Sequence, residues 1–163
     1  MPSEVIRVLT PLQLTEPEFA SVQALITDGG EVQTTHLAEY LKSSHRIGLV
    51  EISGELACVG AIKATRPLYI WSLAIQSRYP LDSENCMGEF GYVVTKANFR
   101  ERGLARALST ELLKDFGGAL YATTRDDNFG IHKIAREMGF TNVGLGWRSV
   151  EHPNSSLLLW LKK

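Results

Sequence analysis

The sequence has little cysteine and no excess of charge of either sign. Its two cysteines, Cys58 and Cys86, lack the spacing of metal ligands, so the composition predicts a reduced, cytoplasmic chain with no disulfide framework and no metal site. Lysine and arginine number 17 against 18 aspartates and glutamates, a net charge of −1. That balance argues against a charged face for nucleic acid.

Long apolar runs, repeats and low-complexity tracts are also missing. No stretch reaches the roughly 18–20 apolar residues that span a bilayer, and the first residues lack the basic-then-apolar layout of a secretion signal. We therefore expect no membrane partner. With 163 residues, 44% of them hydrophobic, the chain is long enough to bury a core, and we predict a single domain over residues 1–163.

The first third of the chain alternates strand and helix patterns. We predict, in order, a strand at Val5–Leu9, a helix from Pro17 to about Thr27, a helix at Thr35–Lys42, and a hairpin of Arg46–Ile52 with Leu56–Ala64. A helical insertion follows at 66–87, with helical spacing from Tyr69 to Arg78. Two strands end the chain, Thr141–Val150 and Ser155–Leu161.

The most informative stretch runs from Gly88 to Ala107. A buried strand leads through a short loop to a helix whose apolar stripe begins with Leu104, Leu108 and Leu112. A helix N-terminus presents unpaired N–H groups and a positive dipole end, which suits a phosphate, and Gly103 lets a ligand approach the backbone. Positive charge near that first turn comes from Arg100, Arg102 and Arg106.

A second strand-to-helix unit covers Ala119–Phe140. Asn128 stands where a helix N-cap is expected, and Gly139 is placed to end the helix. With Arg100, Gly103 and Ala105 in the pattern Arg/Gln-x-x-Gly-x-Gly/Ala, the two units resemble the GNAT family of N-acetyltransferases over roughly residues 46–148.

The resemblance implies an α/β fold with a mixed, mostly antiparallel sheet of about six to seven strands and helices on both faces. It also implies acetyl-CoA (coenzyme A) as cofactor and transfer of an acetyl group from the thioester to an amine. The implied cofactor-binding residues are Tyr92, Val93 and Val94 beside the pantetheine arm, Arg100, Arg102, Gly103, Leu104 and Ala105 at the pyrophosphate, and Asn128.

The motifs identify the catalytic residues less specifically than the cofactor-binding residues. Glu89, early in the fourth strand, is the first candidate for a general base acting through water, ahead of Glu84 and Asp82. The family often carries a tyrosine as general acid where this chain has Ala135, so His132 is the candidate acid. Tyr121, Tyr92 and proton transfer from water stay open as alternatives, and Cys86 is an alternative nucleophile.

Function also leaves alternatives open. A module that binds or senses coenzyme A without catalysis is one, and an enzyme using a bulkier acyl donor or a hydroxyl acceptor is another. The acceptor is expected to be a small-molecule or peptide amine. The insertion is expected to cover the acceptor side, with Tyr69, Trp71 and Tyr79 either gripping the acceptor or packing on the sheet. The resemblance also makes a homodimer possible.

Overall fold

A computed structural model describes residues 2–30 and 32–163. Its helices and strands are, in chain order, β1 (Glu4–Leu9), α1 (Glu16–Gly29), α2 (Leu37–Lys42), β2 (Arg46–Ile52), β3 (Glu55–Lys63), α3 (Pro67–Ser77), β4 (Cys86–Thr95), α4 (Leu104–Leu113), β5 (Ala119–Arg125), α5 (Phe129–Glu137), β6 (Thr141–Arg148) and β7 (Ser156–Lys162). Within the described ranges no helix is both long and apolar enough to cross a membrane.

Seven strands form one sheet in the order β1-β2-β3-β4-β5-β7-β6. Strands β4 and β5 pair in parallel, whereas the pairs β1–β2, β2–β3, β5–β7 and β7–β6 are antiparallel. This arrangement confirms the expected mixed, mostly antiparallel sheet. The contacts divide the chain into two compact units, the first made of the described residues up to Lys63 with Gly91–Lys114, the second of Ala64–Phe90 with Asp115–Lys163.

In the first unit, helices cover both faces of β2 and β3, because successive side chains of a strand point to opposite faces. One face packs against α1 and α2 in a cluster that includes Val22, Ile26, Leu37, Leu41, Ile47, Leu49, Val59, Ala61 and Tyr92. The other face packs against α4 in a cluster of Val50, Ile52, Ala57, Cys58, Phe99, Leu104 and Leu108.

Two glycines bring α4 close to the sheet. Gly48 of β2 and Gly60 of β3 are register partners. A Cβ on Gly48 would lie 2.6 Å from Leu108 Cδ1, and one on Gly60 would lie 3.4 Å from Leu112 Cδ2. At the other end of α4, the Arg46 guanidinium donates to the carbonyl oxygens of Leu112 (3.0 Å) and Lys114 (2.7 Å). The sheet therefore fixes both the depth of this helix and its C-terminus.

In the second unit, α3 packs on a core cluster that β5, β6 and β7 share. Its buried members are Ile70, Leu73, Leu81, Cys86, Tyr121 and Leu159, with Tyr69 and Tyr79 packed against them. The opposite side of α3 is exposed, including Leu68 (84%), Trp71 (64%) and Ile75 (56%). Packing thus accounts for two of the three aromatic residues of the insertion but not for Trp71.

Sequence-based boundaries differ from the observed ones by a few residues. The helix of the insertion begins two residues earlier than predicted, at Pro67, because proline is well suited to a first helical turn. It ends at Ser77, and Arg78 caps it in a left-handed conformation (φ 54°), before Pro80 is reached. The helix predicted from Thr35 begins only at Leu37.

Candidate functional site

The N-terminus of α4 is uncapped by any side chain. Gly103 is its N-cap residue, in a left-handed conformation (φ 76°), and the first turn carries no acidic residue. A Cβ added to Gly103 would meet no atom within 4 Å among the described residues. The backbone at this point is therefore open to the approach of a ligand, and the positive end of the helix dipole has no carboxylate of its own first turn beside it.

The loop before α4 is held by its own arginines. Arg100 Nε donates to the Thr95 carbonyl (3.2 Å), and the Arg102 guanidinium lies 5.2 Å from the centre of the Phe99 ring. Glu101 between them is also left-handed (φ 64°). Arg100, Arg102 and Gly103 are exposed, Ala105 is half-buried, and Leu104 is buried in the core below them.

Strand β4 has an irregular residue at its centre. Tyr92 is buried and has a φ of 55°, which is rare for a residue with a side chain and interrupts the pleat of a strand. The Lys63 ammonium lies 4.1 Å from the centre of the Tyr92 ring. Val93 and Val94 follow, both half-buried. Irregular backbone of this kind occurs often beside functional sites.

A groove of about 520 Å³ lies in the first unit. Its walls come from the end of α1, the start of β3 and the chain from Val94 to Arg100. Acidic Asp28 and Glu55 share it with basic Lys96 and Arg100, and Lys96 forms an ion pair with Glu55. The groove therefore has no single sign of charge that would select a ligand.

Glu89 lies in the second unit and is buried (3% exposed). Its Oε2 accepts a hydrogen bond from the Tyr121 hydroxyl (3.0 Å) and lies 4.0 Å from Arg66 Nη2. Burial, followed by the Glu89 charge, raises the pKa of Tyr121 above its ordinary value of 10.0. This tyrosine therefore keeps its proton at physiological pH and is a poor proton source.

Asn128 and His132 also lie in the second unit, at the start of α5. Asn128 Oδ1 accepts from the Ile131 amide (3.4 Å), the expected N-cap bond. His132 is buried (5% exposed), and its Nε2 donates to the Arg125 carbonyl (2.8 Å) while the ring lies 5.2 Å from that of Trp160. A structural role thus accounts for His132, and its role as an acid stays a prediction.

The other carboxylate and thiol candidates have structural partners or poor reactivity. Asp82 accepts from the Glu84 amide (2.9 Å) and from Asn85 Nδ2 (2.8 Å), which organises the turn ahead of β4. Glu84 itself is exposed. Burial, with a smaller effect of the Asp82 charge, raises the pKa of Cys86, which is the opposite of what a nucleophilic thiol needs.

Sequence reasoning missed the surroundings of Glu89 and the conformation of Tyr92. Nothing local marks Arg66 as a neighbour of a residue 23 positions later in the chain. The pairing of Glu89 with Tyr121 follows from the parallel register of β4 and β5, which periodicity does not specify. Tyr92 lies in a run that reads as an ordinary strand, because only a glycine or an asparagine would have signalled a left-handed residue.

Comparison by sequence finds nothing: no family model matches this chain, and no curated protein matches it. Comparison by structure is productive, with 308 chains matching. The structure of yncA from Salmonella typhimurium, which holds its cofactor acetyl-CoA, has a TM-score of 0.71 at 12% identity and covers 99% of this chain and 94% of its own.

Two further solved structures are similar over nearly their whole length. The ribosomal-protein-alanine N-acetyltransferase of Brucella melitensis has a TM-score of 0.68 at 18% identity, with 97% of this chain and 98% of that chain covered. An acetyltransferase of the GNAT family from Bacillus cereus has a TM-score of 0.65 at 12% identity, with 98% and 97% covered. Identities this low establish the architecture alone, and this chain has the fold of the GNAT N-acetyltransferases.

Proposed function

We propose that this protein is an acetyl-CoA-dependent N-acetyltransferase that moves an acetyl group to a primary amine by direct attack in a ternary complex. The observation that carries the proposal is the open N-terminus of α4, where Gly103 is left-handed and no side chain caps the helix. An acidic residue or a packed side chain at this point would have argued against an anionic ligand. The similarity in fold to acetyltransferases supports the same function.

In this proposal the cofactor is bound mainly by backbone groups. The pyrophosphate is bound by the N–H groups of Arg102, Gly103, Leu104 and Ala105, and Arg100 opens that turn. The pantetheine arm contacts the backbone of Tyr92, Val93 and Val94. Asn128 is a further contact of the cofactor. When bound, acetyl-CoA supplies an acyl group activated as a thioester. The irregular backbone at Tyr92 supports a role for β4 in orienting that group, since a left-handed residue redirects the neighbouring N–H groups.

The chain must also remove a proton from the acceptor. An alkylammonium has a pKa near ~10.4 and no lone pair for attack until it is deprotonated. Glu89 is proposed as the base, and because it is buried, the proton reaches it through a water molecule. The hydrogen bond from Tyr121 supports this role by holding the carboxylate in place. A thiol has an ordinary pKa of only ~8.5, so water can return a proton to the leaving group.

Cofactor binding is the first test. A titration of acetyl-CoA should raise the melting temperature, since a ligand at ~100 times its dissociation constant adds about 2.7 kcal/mol of stability. The protein is then mixed with acetyl-CoA and a panel of amines, amino acids and peptides, and free thiol is measured. Release of thiol that depends on an amine supports the transferase. No stabilisation by acetyl-CoA at any concentration would reject the proposal.

Glu89→Gln tests the base. We expect turnover to fall by about tenfold or more, on the order of general-base effects, with the acetyl-CoA-induced shift in melting temperature unchanged. Glu137→Gln is the matched control, because it removes the same charge from an exposed position at the end of α5 in the same unit. A normal rate in Glu89→Gln would remove that residue from the mechanism.

A module that binds coenzyme A without catalysis is the second candidate function. Ala135 stands where the family often carries a tyrosine as general acid, and it is buried (1% exposed). The missing tyrosine favours binding without catalysis. Stabilisation by acetyl-CoA with no thiol release across the whole panel would select this function. Release of thiol only with a longer acyl donor or a hydroxyl acceptor would instead identify an enzyme that uses those substrates.

A further inference from the structure

Glu89 belongs to a cluster of four polar and aromatic side chains within the second unit. Glu89 and Tyr121 are register partners on the parallel strands β4 and β5, so their side chains emerge on the same face. The Tyr121 hydroxyl donates to Glu89 Oε2 at 3.0 Å. Both residues are buried, at 3% and 0% exposed, so this bond forms away from bulk water.

The inserted segment supplies the other two members. Arg66 immediately precedes α3, and its Nη2 lies 4.0 Å from the same oxygen of Glu89. The Arg66 guanidinium lies 4.3 Å from the centre of the Tyr69 ring, which in turn lies 6.4 Å from that of Tyr121. Glu89 thus faces Tyr121 from β5 and Arg66 from the insertion, with Tyr69 of α3 behind the guanidinium.

We propose that Tyr121 is a positioning residue for the transfer reaction, which fixes the orientation of the Glu89 carboxylate. This inference rests on the proposed function, in which Glu89 is the base. A hydrogen bond from a hydroxyl to a carboxylate is directional, so it restricts the rotation of the carboxylate group. Tyr121 itself transfers no proton in this role.

The alternative is that Tyr121 only fills the core. Its ring is fully buried beside Leu159 and Ile70, which is sufficient reason for an aromatic residue at this position. Tyr121→Phe separates the two roles, since it keeps the ring and removes only the hydroxyl. Tyr79→Phe is the matched control, because it removes a hydroxyl from a ring that packs against the same cluster, whereas the hydroxyl that donates to Glu89 Oε2 belongs to Tyr121.

The expected result for Tyr121→Phe has three parts. The turnover number kcat falls by about tenfold, because the carboxylate has lost the donor that orients it, while KM for the amine is unchanged. The shift in melting temperature caused by acetyl-CoA is unchanged. Tyr79→Phe leaves all three as in the unmodified protein.

A double-mutant cycle with Glu89→Gln makes the test independent of any loss of stability. If Tyr121 acts through Glu89, adding Tyr121→Phe to Glu89→Gln has no further effect on turnover. Equal factors in both backgrounds, or an unchanged turnover number in Tyr121→Phe, overturn the positioning role while Glu89 remains the base. Full turnover in Glu89→Gln alone would remove Glu89 as the base, and the inference would fall while the transferase function stands. Absence of turnover and of stabilisation by acetyl-CoA in the unmodified protein would instead be a failure of the proposed function.

Discussion

Gly103 and Tyr92 are both left-handed, but at different cost. Glycine adopts a positive φ freely, whereas a residue with a side chain loses about 1–2 kcal/mol there. At Gly103 (φ 76°) the conformation is therefore inexpensive, and the absent side chain leaves the start of α4 open. At Tyr92 (φ 55°) the surrounding core must hold the strained residue, and the buried ring with Lys63 beside it contributes to that.

The first prediction at the residue scale concerns Gly103→Val. A Cβ at this position meets no atom of the described residues within 4 Å. The valine side chain would occupy the space that a pyrophosphate needs, so we expect acetyl-CoA affinity to fall by at least tenfold. Gly54→Val is the matched control, since Gly54 also has a positive φ (82°) and no atom within 4 Å of a Cβ, at the turn between β2 and β3.

Both variants should lose similar stability from backbone strain, which thermal denaturation without ligand measures. Titration calorimetry with acetyl-CoA then measures the difference between them. Normal affinity in Gly103→Val would place the cofactor elsewhere.

Residue roles that depend on neighbours far along the chain could not be predicted from the sequence. The N-cap role of Asn128 is local, and its bond to the Ile131 amide confirms that prediction. The burial of Glu89 and its bond from Tyr121 depend on the register of two strands separated by a helix. The exposure of Trp71 depends on which side of α3 meets the core, and both sides of that helix are apolar in sequence.

At the scale of elements, the position of α4 is decided by the two glycines beneath it. Leu108 and Leu112 reach the sheet because β2 and β3 present no side chain at the register pair Gly48–Gly60. Since α4 carries the proposed phosphate site at its N-terminus, the depth of the helix also sets the position of that site.

We predict that Gly48→Ala destabilises the protein by about 1–3 kcal/mol, as overpacking of a filled core does. The new Cβ would lie 2.6 Å from Leu108 Cδ1, a distance that forces the side chain or the helix to move. Gly60→Ala is the control on the same face of the partner strand, where the closest contacts are an ordinary 3.4 Å. Urea denaturation measures both. An equal loss in the two variants would contradict the argument.

Elements with strong local signals were predicted well. The hairpin turn is an example: Ser53 (φ 50°) and Gly54 (φ 82°) are both left-handed, the conformation that two-residue hairpins favour. The last two strands were less well bounded, because Gly144 and Gly146 interrupt the alternation of β6 and its pairing with β7 shifts between Val143 and Trp147. Periodicity alone has no signal for such a shift.

At the scale of the molecule, ion pairs between elements complement the core of the first unit. The Arg7 guanidinium on β1 donates to Glu18 of α1 (2.7 Å) and to Glu51 of β2 (2.8 Å). The backbone bond from Thr15 is the main cause that lowers the pKa of Glu18 from its ordinary 4.5, and Arg7 lowers it further. A carboxylate whose pKa is lowered on folding stabilises the protein at pH values above its ordinary pKa. That stabilisation is lost as the pH falls through the lowered pKa of the folded state.

Arg7→Met should therefore lower the melting temperature near pH 7, and the difference from the unmodified protein should shrink below about pH 4.5. The hydrogen bond to Glu18 raises the pKa of Arg7 still further above this pH range, so that shift has no effect on stability here. Lys96→Met, which breaks one exposed pair with Glu55, is the control and should change little at any pH. A difference that persists undiminished at pH 3 would show that Arg7 acts through packing alone.

The order of elements followed from the sequence, because the two strand-to-helix units carry their own caps and glycines. The mixed, mostly antiparallel sheet followed from the family resemblance that those units carry. The surroundings of the proposed base did not follow from the sequence, because the pairing of β4 with β5 brings Tyr121 to Glu89 and the fold of the insertion brings Arg66 there.

The two free cysteines have a practical consequence. Cys58 lies in the first unit and Cys86 in the second, both buried, and burial raises the pKa of Cys58 to about 11. Alkylation by iodoacetamide at neutral pH must therefore wait for local opening to expose a thiolate. Since one thiol marks each unit, the labelling rates of the two peptides, followed by mass spectrometry, compare how often each half of the chain opens.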